Sequence, residues 1–270
     1  MVTENPDPAD PARPADRTRP KDPARRSDPA RPADPVVSGA VNLRDVGGLP
    51  AGETVTRHGV LFRSGNLAQL DREGTRSLAD LGLRRIIDLR ADDEVAYAPS
   101  RIDGLAVTTQ RVPLFLGSVE SFFADDIGLD EMYRRLVEDS SAGVVDVVRG
   151  ILADQPVLVH CTVGKDRTGV TVALTLAAAG VESEAVVADY ARTEGLLPEW
   201  RNRRVVQMLR SMHPEAVHLE DLATRSPAPV MRALLAEVDE RYGSAAEYLV
   251  AHGLTEDELA ELRRVLLRPR

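Results

Sequence analysis

The sequence predicts an α/β fold: a small parallel or mixed sheet with residues 157–160 near its centre, helices on both faces, and a helical C-terminal part. Three observations carry this prediction. Pro156 is followed by Val157, Leu158 and Val159, a short apolar run of the kind that forms a strand buried on both faces. Residues 170–179 are small, apolar and free of breakers, which reads as a buried helix. Further short strand-like runs precede them, and beyond Gly180 the pattern is helical almost throughout.

Residues 1–35 are almost entirely Pro, Ala, Asp and Arg, in loose repeats of the type DPARPAD. Such a segment has too little apolar surface to offset its ordering entropy and is expected to be a disordered, mixed-charge tail, with residues 36–270 as one domain. Gly47-Gly48 marks a turn that needs unusual dihedrals. Residues 71–81 read as an amphipathic helix with Leu78 and Leu81 on one face and Gly82 as its cap. A buried strand follows at 85–89, then a short helix at 92–97 stopped by Pro99, and another strand at 105–114. Phe115, Phe122 and Phe123 in the following loop form either an apolar lid or part of the packing. Residues 140–154 read as a helix with Val144, Val145, Val148, Ile151 and Leu152 on its apolar stripe. Further helices are expected at 182–193, 199–211, 229–242, 244–252 and 255–267.

Between the central strand and its helix lies His160-Cys161-Thr162-Val163-Gly164-Lys165-Asp166-Arg167-Thr168-Gly169. The first turn of a helix has backbone N–H groups without partners and a partial positive charge, so this order makes an anion site. The successive amides of Thr162, Val163, Gly164 and Lys165 on to Arg167 are placed to close into a nest around a tetrahedral oxyanion. Cys161 lies at its floor, where such a field lowers a thiol pKa from about 8.5 toward roughly 3.5–7.5. Arg167 offers a planar fork matched to two phosphate oxygens. Thiolate, nest and fork together describe in-line attack on a phosphate ester.

Cys161-x5-Arg167-Thr168 resembles the phosphate loop of the protein tyrosine phosphatase superfamily. The string HCTVGKDRTG is similar to the bacterial atypical branch, with mycobacterial and listerial members, whose loop carries Lys-Asp before the arginine. The runs Asn42-Leu43-Arg44-Asp45-Val46-Gly47-Gly48, Phe62-Arg63-Ser64 and Ile87-Asp88-Leu89-Arg90 also resemble that family, as do Asp189-Tyr190 and the closing helices. The resemblance spans about residues 39–267. It implies a protein tyrosine phosphatase-like fold, activity on phosphotyrosine and, in some members, on phosphoserine, phosphothreonine and phosphoinositides.

On this reading Cys161 is the nucleophile, Arg167 and the loop amides bind phosphate, and Thr168 hydrogen-bonds the thiolate. Lys165 adds charge for phosphate or for a second phosphate on an inositol ring. Asp166 is the first candidate for proton transfer, against a structural role beside Lys165 or Arg167; Asp125, Asp126 and Asp130 are the upstream alternatives. Arg44, Asp45 and Arg63 are expected to prop the loop as a salt-bridged lattice rather than touch substrate.

Other classes fit less well. A nucleotide P-loop requires Ser or Thr after Gly164-Lys165 and a glycine where Val159 stands. A sulfurtransferase loop also starts with Cys after a strand, but its ending differs from Thr168-Gly169. A catalytically silent phosphate reader would have lost the cysteine or the arginine. The net charge of −9 argues against general binding of nucleic acid or acidic membranes. The single cysteine excludes an intramolecular disulfide and suits a reducing compartment. No apolar run nears the roughly 20 residues of a membrane span, and no apolar signal core stands at the N-terminus. The expectation is a cytoplasmic monomer, with signal-independent secretion left open. The histidines show no metal-ligand spacing, so neither metal nor cofactor is expected.

Overall fold

The computed structural model describes residues 33–114 and 126–270. The expected tail up to Pro32, the phenylalanines of the expected lid and Asp125 lie outside the described residues.

The chain enters through β1 (Arg44–Asp45), β2 (Pro50–Ala51), β3 (Thr54–Thr56) and β4 (Leu61–Ser64). Helix α1 (Arg72–Asp80) is capped by Asp71, whose side chain accepts from Gly74 N at 2.7 Å, and ends at Gly82 with φ +63°. β5 (Arg85–Asp88), α2 (Asp92–Tyr97) and β6 (Thr108–Arg111) follow. Past residue 125 come α3 (Leu129–Asp139), α4 (Ser141–Ala153), β7 (Val157–His160) and α5 (Arg167–Ala179). The remainder is α6 (Ser183–Leu196), α7 (Glu199–Met212), α8 (Leu219–Thr224), α9 (Ala228–Tyr242), α10 (Ala245–Ala251), α11 (Glu256–Leu266) and β8 (Leu267–Pro269).

Among the described residues the main sheet has the order β1-β4-β7-β5-β6, with β1 antiparallel and the other four parallel. β7 is its central strand, and its alternation explains why Val157-Leu158-Val159 is apolar without a break. Val157 and Val159 point with Leu61 and Ile87 into a core shared with α4 and α5, whereas Leu158 points with Phe62 and Ile86 into a second core containing Leu78 of α1. The register sets Ser64, His160 and Asp88 side by side, so three strands end at one level. The loop leaves β7 from that edge, where open α/β sheets take their ligands.

Four features differ from the sequence expectation. Helix α3 was not expected: residues 129–139 carry enough charge to read as loop, and their apolar positions Leu129, Met132, Tyr133, Leu136 and Val137 form one buried face only in the fold. The strand expected over 105–114 is shorter, and its Thr108, Thr109 and Arg111 are exposed because β6 is the sheet edge. The short helix α8 was not expected, since six residues show too little period to be read. Nor was a second sheet, in which β8 pairs with β3 and β3 with β2. Its strands are two or three residues long and carry no periodic signal.

Candidate active site

Cys161 follows the last residue of β7 and is 2% exposed. The loop then turns back into α5, which begins at Arg167, earlier than its apolar run suggests. Gly164 makes the turn with φ +74°, and a Cβ there would lie 2.4 Å from the Ser64 carbonyl oxygen, so a side chain is excluded on both counts.

The loop is shaped from outside. Asn66 donates through its backbone N, at 3.1 Å, and through Nδ2, at 2.9 Å, to the carbonyl of Thr162. Asn42 Nδ2 donates to the carbonyls of Val163, at 3.2 Å, and Gly164, at 2.8 Å. Arg63 Nη2 donates to the same Gly164 oxygen at 2.9 Å. Because each peptide unit is planar and trans, an oxygen held outward turns the next N–H inward. The amides of Val163, Gly164 and Lys165 therefore face the concave side, and Gly164 N–H donates to Cys161 Sγ at 3.3 Å.

The supporting lattice differs from the expected one. Arg44 and Arg63 share a carboxylate, but it is Asp189 of α6, at 3.0 and 2.9 Å. Asp45 instead accepts from the amides of Gly47 and Gly59, each at 2.8 Å, and lies 3.3 Å from His58 Nδ1. Burial, with Arg63 beside it, lowers the Arg44 pKa to about 9 despite Asp189. His160 is fully buried; burial pushes its imidazole down to about 4, only partly opposed by Asp88.

Arg167, 8% exposed, is held by a residue that sequence reasoning missed. Glu94 of α2 accepts from Nη1 at 2.5 Å and Nη2 at 2.7 Å, from Thr162 Oγ1, and from Ala91 N at 2.9 Å. Burial alone would raise the Glu94 pKa, but Arg167 and these donors outweigh it and hold the carboxyl at about 2. The only sequence signal was Glu94 as the third residue of an acidic helix start, which reads as an ordinary capping residue.

Asp166 sits at the N-cap position of α5 with its carboxylate turned to other partners. Oδ1 accepts from Tyr133 Oη at 2.8 Å and lies 2.8 Å from Lys165 Nζ, close enough for an ion pair though not aligned as a hydrogen bond. Lys165 is 1% exposed, so its ammonium is engaged with Asp166 rather than extended toward solvent. Thr168, expected to hydrogen-bond the thiolate, is buried in the first turn of α5 with its hydroxyl unpartnered, and no bond to Sγ is present. Asp126 accepts from His218 N at 2.8 Å, and Asp130 is exposed in the first turn of α3. Among the described residues neither carboxylate hydrogen-bonds the loop, whereas Asp166 is part of it.

Residues 35–268 match the sequence model of the tyrosine phosphatase family. The chain is 32% identical over 276 residues to the triple specificity protein phosphatase PtpB of Mycobacterium tuberculosis, covering 85% of this chain and 97% of that protein. It is also 32% identical over 213 residues to a tyrosine-protein phosphatase of Nostoc commune, covering 74% of this chain and 70% of that protein. Among solved structures, P. aeruginosa TpbA is similar at 20% identity and a TM-score of 0.37, over 79% of this chain and 99% of that one.

Proposed function

The chain belongs to the tyrosine phosphatase family, hydrolases of phosphate monoesters, and we propose that it works through a cysteinyl-phosphate intermediate formed on Cys161. Sγ, as thiolate, attacks phosphorus in line with the ester oxygen, forming S–P as the P–O ester bond breaks. Arg167 and the amides of Val163, Gly164 and Lys165 receive the equatorial oxygens as charge spreads over them. Asp166 gives a proton to the departing oxygen, then takes one from the water that attacks the intermediate. Inorganic phosphate leaves and the thiolate is restored. Thr162 holds Glu94, and Glu94 keeps the Arg167 guanidinium in the plane of the loop. Thr168, whose hydroxyl makes no hydrogen bond to Sγ, is given no role in these steps.

The observation that carries this reading is the outward hold on three successive loop carbonyls, which leaves three amides and Arg167 around one sulfur. Phosphotyrosine proteins are the first substrate class, by likeness to the family, with phosphoserine, phosphothreonine and phosphoinositides as the further classes that the resemblance of the loop HCTVGKDRTG implies. We further propose a cytoplasmic location, since a catalytic thiolate is best kept in a reducing compartment. No helix among the described residues is long and apolar enough to cross a membrane.

The test is Cys161→Ser. Turnover of p-nitrophenyl phosphate should vanish, because an alkoxide is far harder to form than a thiolate, while inorganic phosphate still binds the intact nest. Residual turnover above a trace would remove the covalent route. A fully active wild-type chain releasing phosphate likewise sets aside both a silent phosphate reader and a sulfurtransferase.

A further inference from the structure

Tyr133 presents a problem that packing does not solve. It lies on the buried face of α3 with Leu129, Met132, Leu136 and Val137, where a phenylalanine would fill the same space. A hydroxyl taken out of water into that core is costly unless bonded. Its oxygen is 2.8 Å from Asp166 Oδ1 and 2.7 Å from the hydroxyl of Tyr190, a buried residue of α6 whose ring meets it edge to face at 6.0 Å.

The polarity of this chain follows from counting protons. Each hydroxyl has one donor. Toward an ionised carboxylate Tyr133 must donate, so its lone pair receives the Tyr190 proton and both donors are used. If a proton instead sat on Oδ1, it would point at Tyr133, Tyr133 would have to donate to Tyr190, and the Tyr190 proton would need an acceptor. Among the described residues the Tyr190 hydroxyl has no other hydrogen-bond partner: Arg63 near it offers only donors, and Glu194, whose charge also acts on it, makes no hydrogen bond to it. Both phenols are held neutral, since burial pushes each pKa up and the Asp166 charge adds to it. They serve as fixed donors rather than as proton sources.

We propose that Tyr133 and Tyr190 are positioning residues: a buried two-hydroxyl chain that donates into Asp166 Oδ1, orients the carboxylate, and confines proton exchange with the leaving group to Oδ2. This rests on Asp166 being the proton donor. The charged and titratable groups facing Asp166 are Lys165 and Arg167 on its own segment, Tyr133 on α3, Tyr190 on α6 and Arg201 on α7. Among the described residues Tyr133 is the one that hydrogen-bonds the Asp166 carboxylate, with Tyr190 bonded behind it, so this chain sets a direction that the freely rotating Lys165 ammonium, unaligned for a hydrogen bond, does not.

The test is a cycle of Tyr133→Phe, Asp166→Asn and the double variant, each assayed on p-nitrophenyl phosphate and on a phosphothreonine peptide. A phenolate leaves with little help, whereas an alkoxide needs a proton. A positioned acid is worth about 10²–10⁴-fold, so loss of its orientation in Tyr133→Phe should cost about tenfold or more on phosphothreonine and under about twofold on the aryl ester. The basic limb of the phosphothreonine pH–rate profile should move to higher pH, because a carboxylate deprived of a donor holds its proton more tightly. In the Asp166→Asn background Tyr133→Phe should add nothing. Tyr190→Phe, which removes only the donor to Tyr133, should act in the same direction with a smaller loss, and it stands in if Tyr133→Phe does not fold.

Equal losses on both substrates, or a loss that persists in the double variant, would make the tyrosines structural and overturn the proposal. If Asp166→Asn itself shows no dependence on the leaving group, the proton-donor assignment fails, and this proposal fails with it. In the first case the assignment of Asp166 survives, so the two failures are distinct.

Discussion

His160 is neutral in the fold because its ring is wholly buried, and this makes it an acid-sensitive joint beneath the loop. Its Nε2 lies 3.8 Å from Asp88 Oδ2 without a hydrogen bond. With the folded pKa near 4 against 6.5 unfolded, the unfolded chain binds the extra proton between those values. The contribution to stability is complete above pH 6.5 and is lost as pH falls toward 4, a change on the order of 3 kcal/mol. Urea unfolding at pH 7.5 and pH 4.5 should show that loss in the wild type and a flatter dependence in His160→Asn. Glu94 acts lower on the scale: its folded pKa of about 2 lies below the ordinary 4.5, so its stabilising charge is complete above 4.5 and fades as pH drops toward 2. At neutral pH Glu94→Gln should reduce kcat/KM on p-nitrophenyl phosphate by about ten- to a hundredfold, as a charged hydrogen bond worth roughly 1.5–3 kcal/mol is lost from Arg167. Tighter inhibition by inorganic phosphate in that variant would instead identify the Glu94 carboxylate as a competitor for the guanidinium.

At the scale of elements, the loop between β7 and α5 is held by residues from the start of the chain and from α6. Asn42 and Arg63 grip its carbonyls, and Arg44, Arg63 and Thr193 converge with Asp189, which also receives Arg44 Nη2 at its backbone oxygen, 2.8 Å away. Two buried guanidiniums around one carboxylate are tolerable only while that charge is present. Asp189→Asn should therefore cost about 3–5 kcal/mol in denaturant unfolding, with a loss of turnover on every substrate because the loop loses its frame. A destabilised variant with unchanged kcat would show that the loop holds its shape without the lattice.

At the scale of the whole molecule, the ion pairs behind the loop extend to the chain's first described residues. Arg192, 3.6 Å from Asp189, also binds Asp34, a residue that composition assigned to the tail. Val37 is 5% exposed in the core, and Ser38 Oγ donates to Asp71 at 2.7 Å. Removing residues 1–32 is expected to leave melting temperature and activity on a small aryl phosphate unchanged, since that composition buries little. Removing residues 1–38 should lower stability by about 2–4 kcal/mol, mainly through the lost burial of Val37 with a smaller share from the ion pair. Equal melting temperatures for the two truncations would show that this segment adds nothing to the core.

The sequence by itself determined the family, the α/β class, the central strand, the position of the loop that leaves it and most helices. Those signals are local: an apolar run of three, a helical period, and ten consecutive residues whose chemistry is legible without neighbours. Only the tertiary structure decided which distant side chains complete the site. Glu94, Asn42, Asn66, Asp189 and Tyr133 come from five separate segments: Glu94, Asn66 and Tyr133 read as common capping, surface or core residues, and Asn42 and Asp189, though in stretches that resemble the family, carried no sign of their partners until the sheet order brought them beside the loop. The same holds for Asp45, adjacent to Arg44 in sequence yet kept from the lattice because successive strand residues point to opposite faces. Long-range pairing is a property of the closed sheet, and no local pattern encodes it.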